Sequence, residues 1–313
     1  MENQNFLVPT EVIETNMKAA QAKVNYPFFK LVLLGIMAGI FVGFGAAASS
    51  TAMHGISDVG IARLVAGCIF PVGLMMIIFV GGELITSNCL MISGVINGRY
   101  SAWKMLKTLA ILYISNAIGS VIVAALVYYS DILNYSGGAL GAYAINVAYA
   151  KANVASGAAV CSGILCNILV CAASLMATAA KDIAGKTWAI FFPIFAFVIC
   201  GFEHCVANMY YLALGILAGS NADYAAKAEE LYGFSSVQLQ ESLTIGGFFS
   251  NQIPVTIGNI LGGMVFVALP LYAIYKSKGL NQKMEAHVHA EAETHCSICD
   301  FYEAASRAER EDA

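Results

Sequence analysis

Runs of apolar residues long enough to cross a bilayer, about twenty residues at 1.5 Å of rise each, recur near 31–53, 62–98, 103–129, 154–180, 187–217 and 244–275. They predict six membrane-spanning helices. The second, fifth and sixth runs are too long for one straight crossing, so they are expected to tilt, protrude or break. Ahead of the first run, Thr10 is placed to cap a helix in which Val12, Ile13, Met17, Ala20 and Val24 recur at roughly helical spacing. That predicts an amphipathic helix within 1–30, lying on the cytoplasmic surface. After Lys276 the chain turns charged and rich in Ala and Glu, the pattern of a flexible charged tail over 277–313. The membrane domain between them is 31–276.

The apolar pattern repeats. Residues 35–42, GIMAGIFV, resemble 163–170, GILCNILV. Gly82-Glu83-Leu84-Ile85-Thr86-Ser87-Asn88 parallels Phe202-Glu203-His204-Cys205-Val206-Ala207-Asn208, and Gly81 and Gly201 precede them. Asn116-Ala117-Ile118-Gly119 parallels Asn259-Ile260-Leu261-Gly262. The matches fall in the same order, at offsets of 128, 120 and 143 residues. Two halves of three spans each follow, and an odd number of crossings per half inverts the second relative to the first. Inverted repeats of this kind place a permeation site near the midplane, on broken helices. The two Glu-x4-Asn segments are the expected breaks.

Lys and Arg set the orientation. With six spans both termini share a side, and 13 of the 16 basic residues fall on it, leaving Arg63, Lys151 and Lys227 opposite. Both termini are therefore expected in the cytoplasm, with the chain in a plasma membrane. The polar start MENQNFLVPTEVIETNMKAAQAK has no basic-then-apolar pattern of a cleaved signal peptide.

Composition agrees with a lipid environment. The 313 residues are 59% apolar and 12% charged, against about 45–50% and 25% for a soluble domain. No basic patch supports nucleic-acid binding. Seven of the nine cysteines (68, 89, 161, 166, 171, 200 and 205) lie in apolar segments, where the thiol acts as a small hydrophobe. They do not form a disulfide framework.

Against that background a few polar residues stand out, because an ionisable group at membrane depth is expensive. Glu83 and Glu203 occupy matched positions. Their carboxylates are expected to accept hydrogen bonds from backbone N–H groups freed where the helices break. His204 has no counterpart, since Leu84 stands opposite it in the first half. It is either a buried neutral imidazole or a pore-facing proton donor or sensor. Lys151 ends a polar loop before the fourth span, as an interfacial lysine or as part of an electrostatic funnel for anions. Thr86, Asn167, Asn208 and Asn259 either line a path or bond neighbouring helices. In the tail, HVHAEAETHCSIC contains His295, Cys296 and Cys299, which could hold a zinc or copper ion. A membrane-embedded metal or redox sensor is therefore the alternative class. No phosphate-cradling glycine loop, nucleophile elbow or HExxH helix marks an enzyme, and no cofactor is expected.

Gly81-Gly82-Glu83-Leu84-Ile85-Thr86-Ser87, Gly201-Phe202-Glu203-His204-Cys205-Val206-Ala207-Asn208-Met209 and Ile253-Pro254-Val255-Thr256-Ile257-Gly258-Asn259 resemble the signatures of the formate/nitrite transporter family. The similarity covers about residues 5–277. It implies an all-α integral membrane homopentamer of six-helix protomers, aquaporin-like in outline, each with its own pore and with helices 2 and 5 broken. It implies a central His204 between two apolar constrictions. The cytoplasmic constriction would involve Phe70, Leu74, Leu84, Ile85 and Phe197, with Val170 among the apolar pore positions. Thr86 would touch the anion, while Lys151, Asn167, Glu203 and Asn208 would polarise the region around His204. Glu83, Asn88 and Asn259 would support the breaks. Formate is the expected substrate, with nitrite and hydrosulfide as alternatives. Formate-type members usually carry Phe where this chain has Ile85.

Overall fold

The computed structural model describes residues 5–276. The charged tail and its His295, Cys296 and Cys299 lie outside the described residues. The first half consists of α1 (Pro9–Lys23), α2 (Phe28–Met53), α3 (Val59–Ile69), α4 (Val72–Met76), a π-helical turn at Ile77–Gly81, α5 (Ile85–Asn88), α6 (Ile92–Ile96) and α7 (Ala102–Tyr129). The second consists of α8 (Ala139–Ala152), α9 (Ser156–Ala179), α10 (Ile183–Cys200), α11 (Cys205–Gly219), α12 (Ala222–Tyr232), α13 (Ser236–Ser242), α14 (Ile245–Gly263), a π-helical turn at Met264–Ala268 and α15 (Leu269–Lys276). The first compact unit ends at Leu269. Six helical stretches among the described residues are long and apolar enough to cross a membrane.

The halves correspond element by element. A surface helix (α1 or α8) precedes a long span (α2 or α9), then a broken span (α3 to α6, or α10 and α11), then a third span (α7 or α14). Helices α12 and α13 are an insertion in the second half. The third span of each half crosses the first span closely, because a glycine lies at the crossing. A Cβ on Gly119 would strike the Ile36 carbonyl oxygen, and one on Gly262 the Ile164 carbonyl oxygen. Apolar helices in lipid gain little from burying more apolar surface, so close backbone approach of this kind drives their association.

Both breaks open on a glycine in the left-handed region, Gly81 at φ +113° and Gly201 at φ +69°. A side chain at either position would strain the backbone. Gly82 then runs extended to the start of α5, and Phe202 and Glu203 run to the start of α11.

Two sequence expectations change here. Helix α1 starts at Pro9, with Val8 as its N-cap, so Thr10 lies inside the first turn and does not cap. Proline suits that first position because its missing N–H has no intrahelical partner there. Lys151 is not in a loop. It sits in the last turn of α8, whose alanines favour helix and whose Leu140, Ala144, Ile145 and Ala148 are buried. Helix α1 buries Val12, Ile13, Met17 and Ala20. It is fastened by Arg99 to Glu14 at 2.6 Å and by the Leu7 N–H to the Ala179 carbonyl at 2.8 Å.

Candidate functional site

A helix broken in a bilayer frees backbone groups that cost several kcal/mol each if left unpaired. Two asparagines on the third spans pair them. Asn116 Oδ1 accepts the Ile85 N–H at 3.0 Å, and its Nδ2 donates to the carbonyls of Gly35 at 2.8 Å and Glu83 at 3.0 Å. Asn259 Oδ1 accepts the Cys205 N–H at 2.9 Å, and its Nδ2 donates to the carbonyls of Gly163 at 2.8 Å and Glu203 at 2.9 Å. Each amide thus ties the first, second and third spans of its half together.

The carboxylates act differently from expectation. Glu83 accepts from Lys23 Nζ at 2.7 Å and Asn88 Nδ2 at 2.9 Å, and Lys23 Nζ also donates to Asn88 Oδ1 at 3.3 Å. Glu203 accepts from Lys151 Nζ at 2.8 Å and from Asn208 Nδ2. The side-chain amides meet the freed backbone groups, and the carboxylates instead neutralise one lysine each. The paired lysines come from the matching surface helices α1 and α8, so the ion pairs obey the same inverted symmetry. Neither lysine is predictable as a partner from local sequence, since Lys151 and Glu203 lie 52 residues apart.

Between the breaks lie two buried groups in contact. His204 is the N-cap of α11, and its Nδ1 accepts the Ala207 N–H at 3.2 Å. An Nδ1 that accepts carries no proton, so the ring is the neutral tautomer protonated on Nε2. That Nε2 lies 3.0 Å from Thr86 Oγ1, which therefore accepts and keeps its own O–H to donate. Asn167, in the middle of α9, donates to the carbonyls of Thr86 at 3.1 Å and Asn259 at 2.6 Å. It fixes the Thr86 turn to the opposite half. Asn208 Oδ1 is buried and has no hydrogen-bond partner among the described residues.

A cavity of about 790 Å³ leads to this pair, lined by Arg63, Lys151, Glu203, Asn208, His204 and the rings of Phe70 and Phe197, among others. Phe70 and Phe197 meet edge to face at 5.5 Å, and Phe197 lies 6.0 Å from the His204 ring. The remaining apolar residues assigned to a constriction, Leu74, Leu84, Ile85 and Val170, are buried and do not line this cavity. Phe70 and Phe197 therefore stand apart from them, on the Lys151 side of His204, so the five residues expected at one cytoplasmic constriction are not brought together there. Phe70, which ends α3, and Phe197, in α10, pack on each other at the cavity wall, whereas Leu84 and Ile85 lie at the first break.

Sequence reasoning passed over Lys23, Asn116, Asn251 and Gln252. Asn251 Nδ2 holds the Lys151 carbonyl at 2.9 Å, and Gln252 Nε2 holds the Cys205 carbonyl at 3.1 Å. Asn116 alone carried a signal, its place in the repeated Asn-x-x-Gly.

Six membrane-length helices in two inverted halves, with broken helices meeting at a buried polar pair, define a multi-pass membrane channel or transporter rather than an enzyme. Residues 10–273 match the formate/nitrite transporter family. The chain is 33% identical to the "Probable formate transporter" of Methanothermobacter thermautotrophicus, with 87% of this chain and 98% of that protein covered. It is 32% identical to the "Formate-nitrite transporter" of Entamoeba histolytica, covering 89% of this chain and 73% of that protein. A solved "Pentameric formate channel with formate bound" superposes with a TM-score of 0.69 at 31% identity, covering 80% of this chain and 98% of that one. The chain belongs to the formate/nitrite transporter family, whose members are anion channels and transporters.

Proposed function

We propose that this protein passes formate as its neutral acid, with Thr86 and His204 holding the anion while it takes up a proton. The supporting observation is the tautomer: His204 Nε2–H donates to Thr86 Oγ1, which leaves the Thr86 O–H free to donate to an anion beside the ring at the end of the cavity. A bare anion moved into a low-dielectric constriction loses several kcal/mol even after relaxation. Desolvation favours the neutral form of a weak acid, so an anion held against the Thr86 O–H takes a proton from cavity water, and the hydroxide left behind returns to the solution on the cavity side. A neutral imidazole has no second proton to give, so His204 orients and polarises the Thr86 hydroxyl that meets the anion, and water is the acid.

The neutral acid then crosses Leu74, Leu84, Ile85 and Val170, while Phe70 and Phe197 form the other apolar constriction. Glu83, Asn88 and Asn259 support the breaks, and Lys151, Glu203, Asn167 and Asn208 shape the polar wall around the histidine. Formate is favoured by the names of the relatives, and Ile85 in place of the usual Phe favours testing nitrite and hydrosulfide beside it. The working form is a homopentamer in a prokaryotic plasma membrane, with both termini in the cytoplasm. Lys23, Arg99 and Lys104 gather at the α1 end, where Arg99 meets Glu14 and Lys104 donates to Asn25, in keeping with a positive cytoplasmic face. The test is flux into proteoliposomes of formate, nitrite, hydrosulfide and chloride side by side. The weak-acid anions are expected to pass and chloride to be excluded; chloride passing as fast as formate would remove the neutral-acid mechanism.

A further inference from the structure

Three charged side chains line the cavity: Arg63, Lys151 and Glu203. Lys151 and Glu203 are 2.8 Å apart and neutralise each other. The positive charge that the cavity offers to an incoming ion therefore belongs to Arg63, although Lys151 is the residue that sequence singles out for this part. Arg63 is exposed and has no ion pair or hydrogen bond among the described residues. Its guanidinium lies over the Cα of Gly201, where a Cβ would come within 2.8 Å of Nη1. Gly201 opens the break that ends at His204, three residues on. The absence of a side chain at Gly201 thus serves two ends, the left-handed turn and a seat for the guanidinium on the floor of the cavity. Tyr143, Asn146 and Tyr232 line the same space and bring further polar groups to it.

The geometry points to Arg63 as the anchor of a second anion site, ahead of the Thr86–His204 pair, for small planar monovalent oxyanions such as carboxylate or nitrite. A guanidinium presents two parallel N–H donors that match the two oxygens of such an ion. An unpaired cation in a cleft with low-dielectric walls raises the local anion concentration. The site loads the path and does not take part in protonation. It rests on the proposed reading that anions enter through this cavity.

Two measurements test it together. In proteoliposomes at low salt, Arg63→Gln should raise the half-saturating formate concentration for entry from the cavity face by about tenfold. Its saturating rate from that face should stay as in the unaltered protein, and Arg63→Lys should fall between. An unchanged half-saturating concentration in Arg63→Gln overturns the site, as does an equal fall in saturating rate in both variants, which marks a purely structural arginine. In the unaltered protein, phenylglyoxal modification of Arg63, followed by peptide mass spectrometry with Arg99 as internal control, should be slowed by formate or nitrite relative to a bulky sugar acid at equal ionic strength. Unprotected modification also overturns the site. This second arm is readable even if no formate crosses, an outcome that would count against the transport reading instead.

Discussion

His204 Nε2 lies 3.0 Å from Thr86 Oγ1, so one hydrogen bond joins the two helix breaks across 118 residues of sequence. The Thr86 hydroxyl has that single side-chain contact. Thr86→Val, nearly the same shape without the hydroxyl, should still fold, with a thermal midpoint lowered by the one buried His204 N–H left without an acceptor, about 1–3 kcal/mol. Its formate flux at neutral pH should fall at least about tenfold, equivalent to one lost hydrogen bond to a charged group at about 1.5–3 kcal/mol. Stopped-flow uptake in proteoliposomes checks it.

The same reasoning separates substitutions at His204. His204→Gln keeps an N–H donor on a side chain of similar reach, whereas His204→Ala removes it. The glutamine variant should retain measurable formate flux and the alanine variant much less, with the difference largest at high external pH, where the anion predominates. Equal loss in both would mean that donation from this position is not what matters.

Asn116 and Asn259 each make three buried hydrogen bonds to backbone groups of the breaks. Asn116→Ala and Asn259→Ala should each cost several kcal/mol, at about 1–3 kcal/mol for every buried group left unpaired. Similar losses of thermal midpoint in detergent would reflect their matched geometry. Asn116→Asp should not rescue, since an ionised carboxylate accepts from Ile85 but cannot donate to the Gly35 and Glu83 carbonyls.

Lys23→Met removes the cation that neutralises Glu83 and leaves a largely buried carboxylate held by Asn88 alone. A destabilisation of about 2 kcal/mol is expected, less than for a fully buried pair because Lys23 retains solvent contact. Adding Glu83→Gln should recover part of it. A double-mutant cycle on unfolding midpoints measures the coupling.

Much of this arrangement was legible in the chain before any coordinates. The offsets that pair Gly35 with Gly163, Glu83 with Glu203 and Asn116 with Asn259 are the offsets that the hydrogen bonds obey, because an inverted repeat preserves local contacts while turning them over. Glu83, Glu203 and His204 stood out because charge and imidazole are costly in lipid. What local pattern could not convey was partnership at long range. Lys23 counted only among the cytoplasmic cations, and Lys151 read as an interfacial lysine or part of an anion funnel, until folding placed them against the two glutamates. Helix α8 escaped detection because its small residues pack against α11 with little charge to mark the opposite face. The division of Phe70 and Phe197 from Leu84 and Ile85 depends on which side of the breaks each falls, a property of the three-dimensional path alone.

The central claim is that a weak-acid anion crosses only as its neutral acid, after being held by the Thr86 O–H that His204 Nε2–H orients. Its most direct test is simultaneous recording of formate uptake, internal pH and membrane current in proteoliposomes under an inward formate gradient. One proton should enter with each formate, acidifying the interior with no net current. A current carried by formate without matching acidification would contradict the account.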